Sequence, residues 1–237
     1  MPSSTAESYP QLLSLAVHEF RTPASVVGGY LRMLQRDAAG ELNDRQRKMI
    51  DEAEKSCARL VALIAELSEV SKLDSGAIAL ARQPVDVFAL VSEVAGQVQE
   101  ARDREVRLEV QGEHGAARLT GDAPRLRNAF DAVFRAILRE KAGPCLVIAE
   151  RRRETLGGQP TAVVVVSEAD SVQTVYERER DTFDEKRGGL GLALPLARRV
   201  IEGHGGRLSA PAPVGHASAS DDPVSRGSAI ITLPLTE

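Results

Sequence analysis

The stretch Leu15–Val27, LAVHEFRTPASVV, decides how the first third of the chain is read. Leu12, Leu15, Val17, Phe20, Val27, Leu31 and Leu34 recur at helical spacing. Residues 11 to about 38 are therefore expected to form an amphipathic helix with these side chains largely on one face. His18 and Glu19 are neighbours within it, and Pro23 follows one turn later. A proline there brings no N–H for the carbonyl of Glu19, and its ring bends the helix. A lone histidine on the wet side of a helix is ordinarily an inert, solvated residue. A carboxylate beside it and a loosened backbone change that reading. An imidazole titrates near ~6.5, so most of it is neutral at pH 7 and offers a lone pair. Glu19 can take up the proton that the ring loses when it forms a bond.

Outward from this stretch, DAAGELND breaks the pattern at Gly40 and offers Asn43 or Asp44 as an N-cap. A second helix is expected over roughly 44–74, striped by Met49, Ala53, Cys57, Leu60, Ile64 and Leu67. Cys57 reads as a small core residue. Two long helices and a short loop make an antiparallel hairpin. One hairpin cannot bury both stripes, but two hairpins from two chains can, as a four-helix bundle. A homodimer through residues 11–76 is the expectation. Residues 1–10 read as a tail and 77–85 as a linker marked by Pro84.

Residues 86–237 change character. Helix (Asp86 to Arg102), strand (EVRLEV), helix (after Pro124), and a hairpin of CLVIAERRR and TAVVVVSE succeed one another. A charged stretch follows, then a glycine-led helix and two final strands around a small-residue loop at 211–226, expected to be mobile. The fold class is α+β: a helical hairpin, then an α/β sandwich with helices on one face of a mixed sheet.

Composition agrees with a globular chain. Of 237 residues, 43% are apolar but only 3% are aromatic, so the core must be aliphatic. The net charge of −4 comes from interspersed acids and bases, with no basic stripe for nucleic acid. The two cysteines and four histidines form no metal pattern. No leader-like start and no apolar run of membrane length are seen. A cytoplasmic protein, with its input signal supplied by another protein or by the sandwich, is expected.

HEFRTP, His18 to Pro23, resembles the phosphoacceptor box of two-component sensor histidine kinases, and the order of hairpin and sandwich matches that family along most of the chain. The resemblance implies that His18 is the phosphoacceptor, that Glu19 is its assisting base, and that Thr22 serves dephosphorylation of a response regulator. Arg21 and Pro23 would shape the helix. The sandwich would be the family's ATPase-like (GHKL-type) domain, and the partner a response-regulator receiver domain, with a partner histidine kinase as a further candidate.

The nucleotide half departs from the family. Aligned on Arg125–Arg127, the two family asparagine positions are Ala132 and Ala136, and methyl groups cannot ligate Mg2+. Asn128 lies roughly 12 Å along the helix from Ala136 at ~1.5 Å per residue. The stretch matching the Asp-x-Gly-x-Gly motif is VVSEADSVQ, where Glu168 or Asp170 could imitate the aspartate, but no glycine occurs from Gln159 to Arg187. Tyr176 stands in the family's aromatic-acidic box. Gly189 and Gly191 survive before the last helix, where an N-terminus could hold a phosphate. Three readings follow: a phosphotransferase or phosphatase with an impaired ATP site (a pseudokinase), an active divergent autokinase using acids such as Glu168 or Asp131, and a non-catalytic dimeric scaffold. Mg2+ and ATP are cofactors only if the sandwich remains competent.

Overall fold

The computed structural model describes residues 8–37, 42–214 and 222–236. Gly40, the tail through residue 7 and residues 215–221 of the small-residue loop lie outside them, as do the side chains of Leu12 and Leu15. Contacts divide the chain into two units, Met1–Ala79 and Leu80–Glu237.

The first unit is the hairpin of α1 (Ser8–Asp37) and α2 (Asp44–Asp74). Asn43 caps α2: its side chain accepts the Gln46 N–H while the Gln46 side chain reaches back to the Asn43 N–H. This reciprocal box satisfies two helix-end donors that would otherwise lack partners. Val17 and Ala24 pack on Ile64 and Leu67. Cys57 is buried, and its thiol donates to the carbonyl of Ala24. Gly28 leaves room nearby: a Cβ there would lie 3.2 Å from the Cys57 sulfur.

The expected single stripe on α1 is in fact two. Val17, Ala24 and Gly28 face α2, whereas Phe20, Val27 and Leu34, at heptad spacing, are exposed. Met49 and Leu60 of α2 are exposed as well. The hairpin's own seam is narrow because small residues let the helices approach, so the bulkier residues face outward.

The second unit is a six-stranded mixed sheet, in the order β2 (Val106–Gly112), β4 (Cys145–Leu156), β5 (Gln159–Glu168), β8 (Ala229–Pro234), β7 (Arg207–Pro211), β6 (Arg180–Thr182). Only β2 and β4 pair in parallel. A two-stranded ribbon of β1 (Gln83–Asp86) and β3 (Arg118–Gly121) stands apart from it. Helices α3 (Val87–Gln97), α4 (Ala123–Arg139) and α6 (Ala193–Gly203) form the helical layer. In α4 the apolar side is wholly buried, from Leu126 to Leu138, while Asn128 and Arg135 remain wet. Alternation along β5 gives Ala162, Val164 and Val166 to one face and Val163 and Val165 to the other. All five are buried, so both faces of this central strand are covered.

Two expectations need correction. The helix read from Asp86 to Arg102 stops at Gln97, and Ala101 and Glu105 flank a 3-10 turn in left-handed conformation. Nor do all helices share one face. The short α5 (Val172–Glu177) packs Val172 and Val175 on Ile148, Val163, Val165 and Ile230, the side of β5 that α4 does not use. A last short helix, α7 (Pro223–Arg226), lies within the stretch read as a mobile loop. Among the described residues, no helix is long and apolar enough to cross a membrane.

Buried Asp122 joins several elements of this unit. Its carboxylate accepts from the Arg125 and Ala81 N–H groups and from the Arg125 guanidinium, and its own N–H donates to His204. Burial pushes this carboxyl up, but those donors outweigh it and hold it below the ordinary carboxylate range. Asp222, the cap of α7, is lowered in the same way: burial opposes, while Val224 N–H and Arg178 prevail.

Two outcomes are expected. A depressed carboxyl stabilises the fold above its unfolded pKa, and that stability is lost as pH falls through the lower folded value. Thus Asp122→Ala should cost about 1–3 kcal/mol at pH 7, and its difference from wild type should shrink below about pH 4, read by urea unfolding across pH. Pro23→Ala should restore a helical N–H, stabilise α1 by about 1–3 kcal/mol and slow amide exchange over residues 19–27.

Candidate functional site

In the first unit, α1 presents His18 and Glu19 to solvent, with side chains 76% and 70% exposed. His18 Nδ1 lies 3.5 Å from Glu19 Oε1. A carboxylate on the Nδ1 side leaves Nε2 of the exposed ring available as the lone-pair nitrogen. Arg21, Thr22 and Pro23 are exposed on the next turn. Pro23 lies inside α1 and donates no hydrogen bond to the Glu19 carbonyl, while Ala24 behind it is buried against α2. One helix therefore gathers the five hairpin residues singled out by sequence, with the histidine free of any packing role.

In the second unit the predicted nucleotide residues divide: Glu168, Asp131 and Tyr176 have protein partners, whereas Asp170, Gly189 and Gly191 are exposed. Glu168, at the end of β5, pairs at 3.0 Å with Lys141, whose buried ammonium also donates to the carbonyl of Gly227. Asp170 is exposed in a 3-10 turn after β5. Asp131 is held by Arg135 one turn along α4 at 2.9 Å. Tyr176 lies under the guanidinium of Arg152 at 3.7 Å, a cation–π contact on the far face of the sheet. Gly189 and Gly191 have positive φ and are exposed. The helix that they precede, α6, has no side-chain cap, and Pro195 removes a donor from its first turn.

Ala132 and Ala136 are buried. Gly188, at φ +69°, is seated on Ala136: a Cβ added there would be 3.1 Å from the Ala136 Cα. Its N–H donates to Glu140 Oε1 at 3.2 Å, and its carbonyl accepts from Arg139 at 3.0 Å. Mg2+ needs several oxygen ligands in near-octahedral array. The methyl groups of Ala132 and Ala136 supply no such ligand.

Sequence reasoning missed Arg187. It is buried, donates to the carbonyls of Asp184, Ser225, Arg226 and Ser228, and lies 4.1 Å over the Phe183 ring. Burial lowers its pKa, against the pull of Asp184 and Glu140. An arginine in a run of charges gives no local sign of burial; the only signal was its place just before two glycines. A cavity of about 430 Å³ lies beyond, lined by Glu140, Lys141, Glu168, Arg226 and Gly227.

Comparison with known proteins covers both units. Residues 11–76 match the His Kinase A (phospho-acceptor) domain. The circadian input-output histidine kinase CikA of Synechococcus elongatus is 27% identical over 88% of this chain and 29% of its own length. The signal transduction histidine-protein kinase BaeS of Escherichia coli is 29% identical over 81% of this chain and 42% of its own. The chain thus spans less than half of these relatives. Full-length ShkA, solved with AMPPNP, shares the fold at TM-score 0.67, with 21% identity over 95% of this chain and 45% of that one. ThkA, solved with the response regulator protein TrrA, does so at 0.55, with 16% identity over 95% of this chain and 61% of that one. The phosphoacceptor-domain match, the curated relatives and the two-part architecture together support a two-component sensor histidine kinase family for this chain.

Proposed function

We propose that His18 exchanges a phosphoryl group with the aspartate of a response-regulator receiver domain, and that this chain acts as a phosphotransferase or phosphatase without charging itself from ATP. The observation that carries the reading is the solvent-facing His18–Glu19 pair at 3.5 Å, on the helix that contains Pro23. In the charging direction, Nε2 attacks the phosphorus of an aspartyl phosphate. The N–P bond forms as the bond to the carboxylate oxygen breaks, and the aspartate leaves with the electron pair. Glu19 takes the Nδ1 proton or holds it by hydrogen bond, which offsets the charge developing on the ring. Discharge to a second aspartate is the reverse. Thr22, one turn on, can orient water for hydrolysis of the regulator's phosphate.

The receiver domain as partner follows the ThkA complex, whose fold this chain shares. Exposed Phe20, Val27 and Leu34 support pairing of two hairpins into a four-helix bundle. Each such side chain is worth about 1.5–3 kcal/mol when fully buried. Ala132 and Ala136, Gly188 seated on the latter, and the paired Glu168 support an impaired ATP site. A second reading, a divergent autokinase, draws on exposed Gly189 and Gly191 before α6.

The test offers the chain receiver domains carrying labelled aspartyl phosphate. Acid-labile label is expected on wild type and at least about 100-fold less of it on His18→Ala. Glu19→Ala should slow transfer by about 10- to 100-fold. Equal labelling of His18→Ala would refute the role given to His18.

A further inference from the structure

The segment Phe183–Gly189 is anchored on three sides. The Phe183 ring is buried, and its carbonyl accepts from Arg198 of α6 at 3.0 Å. Glu185 pairs with the same Arg198. Arg187 runs the other way and donates to three carbonyls at the α7–β8 corner. Gly188 is gripped by Arg139 and Glu140 of α4, and Glu140 in turn holds Arg226 of α7. Upstream, α5 is packed on the far face of the sheet and β6 is hydrogen-bonded to β7.

We infer that Phe183–Gly189 is a built-in strap that fills the ground a nucleotide's phosphates and cation would need at Ala136, and that Arg187 is its anchor. The inference concerns the second unit alone and stands apart from what His18 does. Three features fit together. Ala136 is small enough for backbone to rest on it. Gly188 adopts the left-handed conformation at no steric cost, so the chain can turn there. The buried guanidinium reaches Asp184 O through Nε and shares the two N–H groups of Nη1 among the carbonyls of Ser225, Arg226 and Ser228. Any ligand entering between the strap and α4 would have to lift Gly188 from Ala136 and extract Arg187 from its carbonyl cage. The strap therefore keeps this unit closed without a ligand.

Amide hydrogen exchange on the full chain tests this, with and without millimolar Mg-ADP. In wild type, the Arg187–Gly189 amides should exchange at least about 10-fold slower than free chain, and Mg-ADP should leave them unchanged. Arg187→Ala should speed them about 10-fold or more while β4 and β5 amides keep their rates. Ala136→Asn, which pushes on Gly188 with Arg187 intact, should speed the same amides. Free-chain rates in wild type, or a Mg-ADP-dependent slowing across 183–191, would overturn the strap. If Arg187→Ala fails to fold, the wild-type and Ala136→Asn arms decide. These readouts are independent of phosphate on His18, so failure here and failure of the phosphotransfer reading are distinguishable.

Discussion

The contact of Gly188 with Ala136 sets how the chain before α6 seats on α4 in the second unit. Because Ala136 carries only a methyl group, backbone can lie directly on α4 there, and Arg139 and Glu140 complete the contact by hydrogen bonds to both sides of Gly188. The carboxylates nearby find cations of their own: Glu168 has Lys141, Asp131 has Arg135, and Glu140 has Arg226. Lys141 is the buried member of its pair and also donates to the Gly227 carbonyl, whereas Asp131–Arg135 is an exposed pair along one helix face. The charge balance of this region is closed from within.

The hairpin follows the opposite logic. Its stability rests on a narrow seam of Val17, Ala24, Gly28, Cys57 and Ile64, none of which needs His18. The functional residues are therefore free to be exposed, and Pro23 can break a hydrogen bond because the seam behind it holds. A stable small-residue seam has a structural consequence: the larger apolar side chains are left on the outside, where only a second surface can cover them. The exposed His18–Glu19 pair and the exposed apolar side chains arise from one arrangement of the seam.

Much of this was legible in residue order. The helical periods, the Asn43 cap, the Pro124 start of α4 and the hairpin of two β-branched runs are local signals, and the structure follows them. His18, Glu19, Thr22 and Pro23 were legible because one helix turn holds them together. The second unit resisted because its decisive contacts join distant segments. Nothing around Arg187 shows that carbonyls nearly forty residues onward will receive it. Val172, Val175 and Tyr176 carry a helical period, but period alone cannot tell which face of a sheet that helix will cover. The splitting of the α1 stripe had the same cause: Ala24 and Gly28 read as weakly apolar, yet close approach of the helices makes them the seam.

The central claim is that an intact phosphoacceptor helix is joined to a unit that does not charge it. The most direct measurement is incubation of the full chain with labelled Mg-ATP beside His18→Ala, followed by a search for acid-labile label. The account predicts a folded wild-type protein with no label above that of the variant. Label on wild type that disappears in His18→Ala would contradict it, and would mean that the second unit opens its strap and places a nucleotide after all.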